Sequence, residues 1–125
     1  MGADKNPVGW FEIPVADMAR AKAFYEHLLG LELEERAMGP SRMAWFPMAR
    51  DVVGAAGALV LGEGMNPSME GALVYFTAPD LDGALARAKE KGGEVLAGRT
   101  DIGAFGFYGL IKDSEGNRIG LHSRT

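Results

Sequence analysis

The chain has 125 residues, of which 47% are hydrophobic, and carries a formal net charge of −4. This length predicts one domain over residues 1–125, and the acidic balance argues against a nucleic acid partner. The absence of cysteine excludes disulfides and thiolate catalysis. No apolar run is long enough to span a membrane. We therefore expect a cytoplasmic protein that binds neither membranes nor nucleic acid.

The first half of the chain predicts a strand, a helix and three more strands. Residues 9–15 alternate with the period of a strand, and Asp17 can cap a helix over 18–29 that Gly30 ends. Three shorter strands are then predicted, at about 31–36, 42–48 and 56–61.

The second half predicts the same order of elements. A strand over 72–78 precedes Asp80, which can cap a helix over 81–91 that ends at Gly92. Three strands follow, at about 94–97, 105–112 and 117–123. Residues 113–117 are typical of a hairpin turn.

An internal repeat relates the two halves. An offset of 63, continued without a gap, matches Asp17 with Asp80, Gly30 with Gly93, Ala44–Trp45 with Phe107–Tyr108 and Gly57 with Gly120. We therefore predict two βαβββ modules, over about 8–62 and 72–123, joined by a linker at about 63–71.

Four segments carry a family resemblance: FEIPVAD at 11–17, RAKAFY at 20–25, LG at 29–30 and KDSEGNRIGL at 112–121. With them the chain resembles the vicinal oxygen chelate superfamily of glyoxalases, bleomycin-resistance proteins and extradiol dioxygenases. The resemblance implies an α+β fold in which two βαβββ modules form a cup-shaped mixed sheet with helices outside. It also implies a small organic ligand in the cup and a homodimer that completes the cavity. Whether the dimer swaps modules between chains stays open.

The resemblance also implies where a metal would bind. Catalytic members hold one divalent metal through His, Glu or Asp in the first and last strand of each module, and such a metal polarises two vicinal substrate oxygens. Here those four positions hold Trp10, Gly57, Leu73 and Gly120, and none ligates through its side chain. We expect no metal and no other cofactor. A divalent ion such as Mn, Fe, Ni or Zn at other residues is the alternative.

Glu12 and His122 are the candidate catalytic residues. Strand alternation places Glu12 on the face of Trp10 and His122 on the face of Gly120, so both should point into the cup. A carboxylate and an imidazole can form an acid–base pair, or orient a cationic or polar ligand. In the alternative structural reading, Glu12 pairs with a nearby cation and His122 is solvated.

The other expected ligand-binding residues are mostly apolar or aromatic, which suits a small-molecule cavity. The predicted ligand-binding set comprises Glu12, His122 and eight further residues: Trp10, Trp45, Leu59, Leu73, Tyr75, Phe105, Phe107 and Tyr108. The repeat assigns Leu59, and a glycine-rich segment places Phe105, Phe107 and Tyr108 near the cavity mouth. Packing in the core or in a dimer interface is the alternative for each of them.

Three functions are compatible with this pattern. The first is a metal-free protein that captures a small organic molecule. The second is a metal-dependent lyase, isomerase or dioxygenase of the glyoxalase family whose ligands lie at other positions. The third is a cofactor-free enzyme in which Glu12 or His122 acts as the base. The sequence leaves open whether the protein is an enzyme.

Overall fold

The computed structural model describes residues 6–125, and its elements follow the predicted order. They are β1 (Trp10–Pro14), α1 (Met18–Leu29), β2 (Glu34–Met38), β3 (Ser41–Trp45), β4 (Ala56–Leu61), β5 (Val74–Thr77), α2 (Leu81–Glu90), β6 (Glu94–Asp101), a short 3₁₀ turn (Gly103–Phe105), β7 (Phe107–Lys112) and β8 (Arg118–Ser123). The predicted α+β fold of two βαβββ units is confirmed. Within residues 6–125, no helix is long and apolar enough to cross a membrane.

Each half forms its own four-stranded sheet. Sheet one has the strand order β1-β4-β3-β2, and sheet two has the order β5-β8-β7-β6. In both sheets the opening strand pairs in parallel with the last strand, and the remaining neighbours are antiparallel. As a result, β1 and β5 are outer strands, each with a hydrogen-bonded neighbour on one side only.

The two aspartates predicted as helix caps do cap the helices. The Asp17 side chain accepts from the Arg20 backbone amide at 3.1 Å, and the Asp80 side chain accepts from the Gly83 amide at 3.1 Å. Each bond satisfies one of the free amides of the first helical turn. Gly30 ends α1 in the left-handed region, with φ of 67°, where glycine has no steric penalty.

Both helices pack against a single core that the two sheets share. One buried cluster contains residues of α1, α2 and both sheets. Four aromatic rings join the halves, with neighbouring centroids 5.4–5.8 Å apart: Phe11, Tyr25, Phe46 and Phe76. Since one face of each sheet is turned to this core, the other face is directed away from it. We call these the outer faces of sheet one and sheet two.

The turn at 113–117 connects β7 and β8, as predicted, and also binds the first half of the chain. Asp113 is 1% exposed and accepts from the Tyr25 hydroxyl at 2.5 Å. The Asn117 side-chain amide donates to Asp113 at 3.0 Å and to the Pro14 carbonyl at 2.8 Å. Burial, followed by the nearby Asp113 carboxylate, raises the pKa of Tyr25 well above its usual value, so the hydroxyl keeps its proton and donates.

Glu115, in the same turn, binds the start of α1. Its carboxylate accepts from the backbone amides of Ala16 and Asp17, both at 2.8 Å, and from the Arg20 guanidinium at 2.7 Å. Burial alone would raise the pKa of the Glu115 carboxyl, but the bonds from Arg20, Asp17 and Ala16 together lower it to about 2. The carboxylate therefore also complements the positive end of the helix dipole.

We expect Glu115→Gln to destabilise the fold and to remove part of its acid sensitivity. Because the pKa falls from 4.5 to about 2 on folding, the ionised carboxylate stabilises the wild type above pH 4.5 and loses this effect as the pH falls through about 2. The contribution at pH 7 is about 2 to 3 kcal/mol. Urea unfolding of both proteins between pH 2 and 7 measures it, with Glu63→Gln in the exposed linker as the control. Equal pH profiles for wild type and Glu115→Gln would contradict this role.

Candidate functional site

The outer face of sheet two forms a cavity of 490 Å³, which we call the sheet-two cavity. It is lined by Tyr75, Thr77, Ile102, Tyr108 and His122. The register explains why these side chains meet, since His122 of β8 lies between Thr77 of β5 and Tyr108 of β7. The predicted residues Tyr75, Tyr108 and His122 therefore share one face and one cavity.

His122 is held by the segment that follows β6. Its Nε2 atom lies 2.6 Å from the Phe105 carbonyl oxygen. Gly103 and Gly106 have positive φ angles of 74° and 100°, which allow the segment at 102–106 to turn back towards the sheet. The Phe105 ring itself is 71% exposed, so Phe105 contributes its carbonyl group to the site rather than its ring.

Tyr75 occupies the space above Gly120. A Cβ atom at position 120 would lie 2.3 Å from the Tyr75 ring, closer than real contacts allow. The same ring meets Tyr108 in an edge-to-face arrangement, with centroids 6.4 Å apart. Glycine at position 120 is therefore what lets an aromatic ring lie across this part of the sheet.

The outer face of sheet one carries both tryptophans of the chain. Trp10 and Trp45 meet edge to face, with centroids 5.1 Å apart. The Arg36 guanidinium lies 4.4 Å above the Trp45 ring and pairs with Glu34 at 2.6 Å. The Glu12 carboxylate accepts from the Trp10 indole nitrogen at 3.3 Å. This face is thus aromatic, with charged groups at its surface.

The structure does not bring Glu12 and His122 together in one chain. Glu12 lies on the outer face of sheet one, where it contacts Trp10, and His122 lies on the outer face of sheet two, where it contacts Phe105. Both outer faces are directed away from the shared core. Any acid–base pair between these two residues would need two copies of the chain.

Two residues expected to face the ligand belong to the core instead, and those assignments are wrong. Leu59 is fully buried among the residues that contact the helices. Phe107 packs against the same cluster, and the Arg99 guanidinium covers its ring at 4.0 Å. Alternation along β7 explains why Phe107 faces the core, because its neighbour Tyr108 lies on the opposite, outer face.

The error at Leu59 comes from a slip in the repeat. The backbone amides of Val15 and Ala78, 63 apart, bind the carbonyls of Val60 and His122, which are only 62 apart. Leu59 therefore corresponds to buried Leu121 rather than to His122. The loop at 46–55 is longer than the turn at 113–117, and such differences change the offset between modules.

The same slip corrects two other matches. Glu12 is paired with Ala58 as Tyr75 is paired with Gly120, so the counterpart of Gly120 is Ala58 rather than Gly57. Trp45 is also paired with Ala58, as Leu110 is with Gly120, so Trp45 corresponds to Leu110 rather than to Tyr108. The change of counterpart from Tyr108 to Leu110 is a shift of two residues, which keeps the same face of a strand, so Trp45 still lies on an outer face.

Leu73 lies just before β5 and lines a second cavity, which Tyr75 also borders but His122 does not. This cavity, of 520 Å³, lies where β1 and β5 approach each other, and we call it the seam cavity. Val8, Phe11 and Phe76 also contribute to its wall.

The residues at the four ligand positions do not fit the divalent metal of the enzymes that this chain resembles. With the corrected register, the four ligand positions hold Trp10, Ala58, Leu73 and Gly120, none of which offers a donor atom. The Tyr75 ring also fills the space that a side chain at position 120 would need. Across residues 6–125, no group of three or more His, Asp or Glu side chains could hold an ion.

A family model described as the Glyoxalase/Bleomycin resistance protein/Dioxygenase superfamily matches residues 8–121. The chain belongs to this superfamily. Proteins of Mycobacterium bovis and Mycobacterium tuberculosis named "Putative glyoxylase CFP32" are 32% identical over 117 residues, which cover 90% of this chain and 43% of theirs. The chain therefore spans less than half the length of these curated relatives.

Solved structures show the same superfamily fold. TnmS3, an antibiotic binding protein from Streptomyces sp. CB03234, is 28% identical with a TM-score of 0.68, and the match covers 99% of this chain and 100% of TnmS3. Glyoxalase I from Zea mays is 21% identical with a TM-score of 0.71, and the match covers 98% of this chain and 48% of that enzyme.

The sequence did not predict three of the residues that lie on the outer faces of the two sheets. Thr77 and Ile102 line the sheet-two cavity, and Arg36 covers Trp45. The two-residue period of a strand, applied from Tyr75, would have predicted Thr77 on the same face. Ile102 and Arg36 had no such signal, because one follows an irregular strand and the other depends on a cross-strand contact.

Gly120→Ala tests whether the Tyr75 ring requires glycine beneath it. We expect a loss of about 1 kcal/mol of unfolding free energy, because the added methyl group displaces the ring. In a Tyr75→Ala background, the same change should be neutral or slightly stabilising, since alanine suits a strand better than glycine. Urea unfolding of the four proteins gives the coupling energy. If Gly120→Ala costs the same in both backgrounds, the ring does not occupy this space.

Proposed function

We propose that this protein binds a small organic molecule on its outer sheet faces without a metal ion. The observation that carries the proposal is the composition of the sheet-two cavity, which has two tyrosines, a threonine, an isoleucine and one histidine. Aromatic walls with a few polar groups are typical of small-molecule sites. The volume of 490 Å³ is in the range that such ligands need.

The chemistry of the cavity favours binding over turnover. His122 is the imidazole in its wall, and within the described residues the wall contains no carboxylate, lysine or arginine beside it. A general base acts best when a second group orients it or completes the proton transfer. Here the bond to a backbone carbonyl orients His122, and no acidic side chain among the described residues of the same chain lines the cavity.

The comparison with TnmS3 supports the same proposal. That protein is described as antibiotic binding, and this chain matches it from end to end at 28% identity. The contrasting function is a metal-dependent lyase, isomerase or dioxygenase, the alternative that the superfamily resemblance implies. That function needs donor atoms at positions where this chain has Trp10, Ala58, Leu73 and Gly120.

We also propose a homodimer formed through the outer strands. β1 and β5 each leave one edge without a strand partner, and an exposed edge can pair with another chain. The apolar side chains at this edge are exposed, by 60% at Val8, 37% at Trp10 and 49% at Tyr75. Pairing of β1 in one copy with β5 in the other, about a twofold axis, would form two equivalent contacts.

Such a dimer explains the separation of the two outer faces. It would place the outer face of sheet one in one copy beside the outer face of sheet two in the other. Glu12 of one copy and His122 of the other would then border the same enlarged cavity. The absence of cysteine is compatible with the cytoplasmic location that we propose for this dimer.

Metal analysis and ligand screening test the proposed function together. We expect untagged protein, incubated with Mn, Fe, Ni and Zn salts and desalted, to hold far less than one metal ion per chain by elemental mass spectrometry. Aromatic small molecules should bind the protein in equilibrium dialysis, because Tyr75 and Tyr108 line the sheet-two cavity. Chelator treatment should leave that binding unchanged. Near-stoichiometric metal, with ligand binding lost on chelation, would contradict the proposal.

Light scattering after size-exclusion chromatography tests the dimer. We expect a mass near twice the 13.3 kDa of one chain. Val8→Lys should raise the dimer dissociation constant by about tenfold or more, because it places a charge in the interface. Leu96→Lys is the matched control, since Leu96 is an exposed apolar residue on β6, away from β5. A monomeric wild type, or equal effects of the two lysines, would rule out this interface.

A further inference from the structure

We propose that the sheet-two cavity selects neutral ring compounds that carry a hydroxyl group, with the hydroxyl donating to Nδ1 of His122. This inference rests on the proposed function and narrows its ligand class. It follows from the tautomer of one imidazole and from the polar groups around it.

The contact with Phe105 determines which His122 nitrogen carries the proton. Nε2 lies 2.6 Å from the Phe105 carbonyl oxygen, a hydrogen-bonding distance. A carbonyl oxygen only accepts hydrogen bonds, so Nε2 must donate. In the neutral ring the other nitrogen, Nδ1, then carries a lone pair and can only accept. The backbone therefore determines the hydrogen-bonding character of the imidazole.

Nδ1 is the nitrogen left for a ligand. Among residues 6–125, no side chain or backbone group binds it, whereas the ring as a whole lines the sheet-two cavity. A ligand that fills the cavity would remove water from this nitrogen. Burying an acceptor without a donor is costly, so a ligand that supplies a donor gains over one that does not.

The remaining polar groups of the cavity do not discriminate between donors and acceptors. Tyr75, Thr77 and Tyr108 present hydroxyl groups, and within the described chain none of them has a protein partner. A hydroxyl rotates to donate or to accept, so it can match either kind of ligand group. Only His122 has a fixed preference, and it therefore decides which ligand groups the cavity favours.

The lining also indicates the rest of the ligand. Within one chain, none of the described lining residues is acidic or basic apart from His122, so this wall of the cavity has no ion pair to offer a charged group. Tyr75 and Tyr108 form an edge-to-face pair with an interplanar angle of 72°, a surface against which a flat ring can pack. A phenol or enol on a planar ring combines these features.

Two substitutions separate the two contacts of His122. Gln is long enough for its amide to replace Nε2 as the donor to Phe105, but it has no acceptor at the position of Nδ1. Asn places its side-chain oxygen near the position of Nδ1 but does not reach Phe105. His122→Gln should therefore keep the segment at 102–106 in place and lose ligand preference, and His122→Asn should do the reverse.

Equilibrium dialysis of the full chain with 2-naphthol and 2-methoxynaphthalene tests the inference, because methylation removes the donor and adds only one methyl group. We expect the wild type to bind 2-naphthol about tenfold more tightly. His122→Asn should retain most of this ratio while hydrogen exchange at 103–106 becomes faster. His122→Gln should reduce the ratio to about one while exchange at 103–106 stays slow.

Two results would overturn the inference and leave small-molecule binding intact: equal affinity of the wild type for both probes, or an unchanged ratio in His122→Gln. If neither probe nor any other ring compound of the ligand screen binds the wild type, the proposed function is wrong as well.

Discussion

The carboxylate of Asp113 is buried between the two halves of the chain and accepts four hydrogen bonds. The donors are the Tyr25 hydroxyl, the Asn117 side chain, and the backbone amides of Glu115 and Asn117. A buried carboxylate is costly unless its acceptor capacity is used, so the hydroxyl that Tyr25 supplies from α1 stabilises the turn at 113–117. This requirement joins the last hairpin of the chain to its first helix and sets the two sheets around one core.

The position of the two outer faces follows from that core. Because both sheets turn their helix-contacting faces inwards, the faces that are available to ligands are directed outwards and lie apart. The segment KDSEGNRIGL, which carries much of the resemblance to the superfamily, thus has a structural role here in addition to any chemical one. This agrees with a superfamily in which one fold supports several functions.

The main chemical feature of the site is that the Tyr75 ring occupies the space of the metal-ligating side chain that the resemblance implies at position 120. Glycine at position 120 leaves space that the Tyr75 ring fills, and the neighbouring Tyr108 and His122 complete an aromatic and hydroxyl-bearing wall. On the other sheet, Trp10 meets Trp45 edge to face and Arg36 covers Trp45, which gives an aromatic and cationic surface. Both surfaces suit recognition of a flat organic molecule, which is why we favour binding over metal chemistry.

The sequence by itself determined the α+β class, the two βαβββ units, the caps at Asp17 and Asp80 and the superfamily, because these depend on local periodicity, helix termini and short motifs. Only the tertiary structure decided which sheet face is buried, and so it moved Leu59 and Phe107 into the core and kept Glu12 apart from His122. The separation of Glu12 from His122 comes from the packing of both sheets around one core, whereas the burial of Leu59 follows from the two-residue period of a strand. One residue more or less in a surface loop reverses every side chain that follows, and nothing local in the sequence records that change.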